Sequence, residues 1–112
     1  MADYETSATV PASGTVDLTF RSPNSRYLAR VTQVSAVGRN IGGAASGEIL
    51  RDNRFICAFV PTGDSAAGEP PIDVWPGQEM QARWTGAAAG GTVEAMFIYD
   101  LIPTATAAKV PS

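Results

Sequence analysis

Trp75-Pro-Gly-Gln-Glu-Met-Gln-Ala-Arg-Trp-Thr-Gly86, a short small-residue loop and then Gly91-Thr-Val-Glu-Ala-Met-Phe-Ile-Tyr-Asp-Leu101 decide the fold class. Met80, Ala82 and Trp84 alternate with Glu79, Gln81, Arg83 and Thr85. Val93, Ala95, Phe97, Tyr99 and Leu101 alternate in the same way with Thr92, Glu94, Met96, Ile98 and Asp100. Successive side chains of a strand point to opposite faces, so this period of two builds a half-buried antiparallel hairpin. Pro-Gly before it and Gly-rich residues inside it are turn chemistry.

Working outward, the same period recurs in Thr15-Val-Asp-Leu-Thr-Phe20, where Val16, Leu18 and Phe20 share a face. Ser22-Pro-Asn-Ser25 is a turn. Tyr27 to Val37 is strand-like, but Tyr27, Ala29 and Val31 fall on one parity and Val34 and Ala36 on the other; a bulge near Thr32 and Gln33 reconciles them. Residues 38–47 read as a loop. Residues 48–60 read as a hairpin turning at Asp52-Asn53, two residues that tolerate positive φ. A long loop is expected from Pro61 to Pro71, then a short strand over Ile72 to Trp75. Polar and small residues 1–14 read as an N-terminal arm, residues 15–102 as the domain and residues 103–112 as a C-terminal arm. About seven or eight strands without a helical period predict an all-β, antiparallel β-sandwich of jelly-roll-like type.

Composition narrows function by exclusion. The chain has 112 residues, 45% of them apolar, enough for one core without staples. A net charge of −3 and seven dispersed arginines with one lysine leave no basic stripe for nucleic acid or an anionic membrane. Cys57, the single cysteine, lies in an apolar run and reads as a small core residue. There is no histidine, which removes the commonest general base and the commonest metal ligand. The start carries no basic and apolar leader pattern, and no stretch approaches the ~20 apolar residues of a membrane-spanning helix.

The carboxylates Asp73, Glu79 and Glu94 alternate with core positions and read as a solvated face rather than a glycosidase pair. Asp64, Glu69 and Asp73 share a segment, but their spacing matches no calcium loop. No enzyme activity, metal or cofactor is therefore expected. Trp75, Trp84 and Tyr99 could form a sugar platform; Trp84 and Tyr99 have core parity, which leaves Trp75 as the candidate glycan contact. Apolar outer positions stand out more. Met96 and Ile98 interrupt the polar face of their strand, and Phe55 to Val60 is apolar on both faces. Exposed patches of this kind mark an interface with another subunit or partner, or a face that the terminal arms cover.

The hairpin of Trp75-Pro-Gly-Gln-Glu-Met-Gln-Ala-Arg-Trp84 and Gly91-Thr-Val-Glu-Ala, in a small, acidic, histidine-free sandwich with arms at both ends, resembles the head decoration proteins of tailed bacteriophages. About a quarter of the chain carries the likeness. It implies an auxiliary capsid protein, made in the host cytoplasm and placed on the exterior of the virion, often as a trimer. The partners would be the major capsid protein and neighbouring copies of the chain, without nucleic acid or membrane. Met96 and Ile98, with Tyr4 and Val10 in one arm and Val110 in the other, are the expected interface residues. The alternatives are a carbohydrate-binding or adhesion module built on Trp75 and another virion part such as a tail or head fibre.

Overall fold

The computed structural model describes residues 2–105, and for residues 64–70 the backbone only. Eight strands follow in order: β1 Ala2–Thr9, β2 Val16–Arg21, β3 Tyr27–Arg39, β4 Ser46–Arg51, β5 Arg54–Phe59, β6 Gly63–Val74, β7 Glu79–Thr85 and β8 Thr92–Pro103. They form two four-stranded sheets, β1-β8-β3-β6 and β2-β7-β4-β5. The pairings are nested and antiparallel: β1 with β8, β2 with β7, β3 with β6 and β4 with β5. A single long hairpin has been rolled up, and the contacts of β3 with β8 and of β4 with β7 complete the sheets. This is the jelly roll, as the sequence leads one to expect.

The tip of the rolled hairpin is the β4–β5 turn. Asp52 and Asn53 hold φ of 51° and 64°, the type I′ geometry whose twist matches the flanking strands. The Asp52 N–H donates to Glu79 O, and the Glu79 N–H donates to Asp52 Oδ1, both at 2.9 Å, so the tip is stapled to β7. Beside it, at the same end of the sandwich, Trp75-Pro-Gly-Gln78 closes with the Gln78 N–H on Trp75 O at 2.9 Å. Gly77 has φ of 90° there, the position that a type II turn reserves for glycine.

Facing rows fill the core. Val16, Trp84, Gly47 and Phe59 are neighbours across β2, β7, β4 and β5. A Cβ at Gly47 would collide with the Phe59 ring; its absence lets Phe59 meet Trp84 edge-on at 5.0 Å. Trp84 is fully buried, and its indole Nε1 donates to Pro61 O at 2.9 Å. Burying such a ring removes roughly 150–250 Å² from water, about 4–6 kcal/mol before ordering costs. A second cluster stacks Phe20 on Phe97 at 5.3 Å and tilts it against Tyr99 at 4.9 Å.

β3 changes parity where expected. Val31 opposes Tyr99 and Gln33 opposes Ile98, leaving Thr32 as an extra residue whose hydroxyl donates to Ile98 O at 3.3 Å. The bulge lets Val31 and Val34 both point inward.

Three expectations are corrected. Residues 2–9 are not a free arm: β1 pairs with β8 from Ala2↔Tyr99 to Thr9↔Thr92, and Val10 behind it is 2% exposed in the core. The inward side chains there include the small Ala2, Thr6 and Ala8, too weak an apolar signal to reveal a strand. Most of the segment from Pro61 to Pro71 is not loop, because β6 starts at Gly63. Residues 68–71 bulge opposite Thr32, and β6 is an edge strand, where proline removes no bond from the ladder. Leu101, given core parity in the sequence, is an exposed residue near the end of β8.

Candidate functional site

The outer face of the β2-β7-β4-β5 sheet is a closed polar lattice. Arg83 clasps Asp17 through two bonds of 2.7 and 2.9 Å and also donates to Asn53 Oδ1 at 3.0 Å. Its guanidinium pKa is raised, chiefly by the hydrogen bond to Asp17, with the charges of Asp17 and Glu48 helping and burial opposing. Gln81, 2% exposed, accepts from the Asn53 N–H and donates to Asn53 Oδ1 and Glu79 Oε1. Arg21 pairs with Glu79 at 2.6 Å. These groups satisfy one another and leave nothing poised for a ligand.

On the outer face of the β1-β8-β3-β6 sheet, Arg30 binds Asp73 through two bonds of 2.8 and 3.1 Å. Its pKa is raised by that hydrogen bond first, then by the charges of Asp73 and Asp100, with burial opposing. Arg39 pairs with Glu94 at 2.9 Å. The three carboxylates Asp73, Glu79 and Glu94 are thus each engaged by an arginine. Met96 and Ile98 lie half-buried on this face, flanked in register by Glu5 and Ser35 and by Asp3 and Gln33. Glu5, Ser35, Val37, Glu94 and Met96 help to line an open depression of about 540 Å³.

The edge strand β5 is different in kind. Phe55 is 62% exposed, Val60 just after the strand 54%, and Ile56 37%. Ile56 is also an extra residue, since Ile49 opposes Cys57 while Leu50 opposes Phe55. The bulge rotates Phe55 to the outer face while Cys57 packs against the core and Phe59 enters it. Arg54, at the head of this edge, makes no ion pair or side-chain hydrogen bond among the described residues, and neither do Asp3 and Glu5 on β1.

Of the residues expected at an interface, Tyr4 is 44% exposed, with its ring 5.8 Å from Phe20, and Met96 and Ile98 are partly covered. Val10 is a core residue and has no surface to offer. Val110 lies outside the described residues, as do the side chains of Asp64 and Glu69. Trp75 is half-buried in its turn rather than presented as a platform, while Trp84 and Tyr99 are core residues. Among the described residues, no group of three or more His, Cys, Asp or Glu side chains is placed to hold a metal ion.

No family model, curated protein or solved structure matches the chain. Phe55, Ile56 and Val60, at and just after the β5 edge, are three of the exposed large hydrophobic residues of the described surface. Their signal in the sequence is the run Phe55 to Val60, apolar at both parities. That Arg54, Asp3 and Glu5 have no ion pair among the described residues has no such signal, because pairing depends on which strands become neighbours.

Proposed function

We propose that this chain is a non-enzymatic assembly protein of a virion, a decoration subunit that binds the outer surface of a capsid and stabilises the head. One observation carries the reading: an edge strand and the residue after it present Phe55, Ile56 and Val60 to water beside an otherwise closed polar lattice. Fully burying a large apolar side chain contributes about 1.5–3 kcal/mol, and a partner that covers these partly exposed ones would recover a fraction of it at each. The rolled hairpin provides a stiff body, and many modest contacts repeated over a shell add through multivalency. The resemblance of the Trp75–Trp84 hairpin to head decoration proteins supplies the shell as partner.

The test is co-sedimentation of the purified chain with empty shells assembled from the major capsid protein of the same virus. Saturable binding and a raised shell melting temperature are expected, and Phe55→Ser should weaken the binding. Absence of binding at micromolar concentrations would overturn the reading. Deleting residues 1–14 is no substitute, because it would strip β1 from its sheet and Val10 from the core.

A further inference from the structure

Each edge of the two sheets has its own character. β2 is guarded by Asp17 and Arg21, which are tied to Arg83 and Glu79. β6 carries Pro70 and Pro71 within a bulged stretch. Prolines, bulges and charges are the usual means of keeping an edge from pairing with another chain. β5 is apolar and cationic, with exposed Phe55 and Ile56, Val60 exposed just after it, and an Arg54 that makes no ion pair among the described residues. β1 is anionic and amphipathic: Asp3 and Glu5, without an ion pair among the described residues, lie on the outer face and the exposed Tyr4 between them in sequence on the inner one.

We propose that copies of this chain associate head to tail, the β5 edge of one copy seating on the β1 edge of the next. The two edges complement each other in both charge and character: Arg54 answers Asp3 and Glu5, and Phe55 answers Tyr4, whose ring offers an apolar body and a polar tip. Their placement fixes the symmetry class. β1 packs beside β2 and β5 beside β6, so β1 and β5 lie on opposite flanks of the sandwich. A contact between opposite flanks is heterologous and leaves a free edge at each end, so it builds a ring where its rotation closes and an open filament where it does not, rather than a two-fold pair. This rests on the assembly reading and assigns the β5 edge to the self-contact, so that Phe55→Ser would weaken shell binding through the lost multivalency of the assembly, while shell binding is measured separately.

Charge reversal tests it on the full chain, with light scattering after size exclusion as the readout and circular dichroism as the check on folding. The wild type is expected to be larger than a dimer. Arg54→Glu alone and Asp3→Arg with Glu5→Arg should each stay folded and assemble about tenfold or more weakly. Mixing the two variants should restore assembly, because each altered edge then meets the oppositely altered one. A monomeric wild type, variants that assemble as well as the wild type, or a mixture that stays monomeric would overturn the proposal. Shell binding that persists in a monomeric wild type would overturn the head-to-tail contact and leave the decoration reading standing.

Discussion

β2 and β5 are the two edges of one sheet, each six residues long, and they follow opposite rules. β2 alternates strictly, burying Val16, Leu18 and Phe20 while Asp17 and Arg21 pair with side chains of β7. β5 begins with three exposed residues, Arg54, Phe55 and Ile56, and reaches the core fully only at Phe59. The same sheet therefore has one edge finished with ionic groups and one left apolar. Buried side chains are concentrated at the first and exposed apolar ones at the second.

Paired substitutions of phenylalanine give the sharpest break between the two. Phe20→Ala, which empties a site walled by Phe97 and Tyr99, should cost about 3–5 kcal/mol in urea unfolding. Phe55→Ala should change stability by no more than about 0.5 kcal/mol and act on association alone. Equal losses at both positions would erase the distinction. A middle-sized effect is expected where the polar lattice ties the two edges together. Gln81→Ala deprives the Asn53 N–H of its acceptor and should cost about 1–3 kcal/mol, measurable as a lower denaturation midpoint with an unchanged slope.

The smallest expected effect is that of pH. Arg30 and Arg83 have raised pKa values, so the stability they add is present below the ordinary arginine range and lost only as pH climbs through the higher folded values. With no histidine in the chain, stability should stay flat between about pH 5.5 and pH 7.5. A midpoint that moves by more than experimental error across that window would show a titrating group outside these pairs.

The fold was legible wherever a strand has large inward residues and polar outward ones. Val16, Leu18 and Phe20, the Met80–Trp84 row and the parity slip at Thr32 all sit where their period places them. The Asp52-Asn53 turn was equally plain, since few residues other than glycine adopt positive φ readily. Legibility failed for β1, whose inward positions include the small Ala2, Thr6 and Ala8, and for β6, whose glycines, serine and prolines carry turn chemistry although the strand pairs with β3. The apolar run at β5 could be seen in the sequence, but its bulge could not. That bulge decides that Phe55 faces water while Phe59 packs on Trp84.

Nested pairing also sets an order in time. β1 finds its neighbour only in β8, about 90 residues further along, and at 5–20 residues per second the ribosome needs roughly 5–20 seconds to make that length. For that interval Tyr4 and its neighbours have no sheet to join, whereas β4 and β5 can pair as soon as their turn emerges. Folding during synthesis should thus run from the hairpin tip outward, with the chain's N-terminal strand waiting longest for its place.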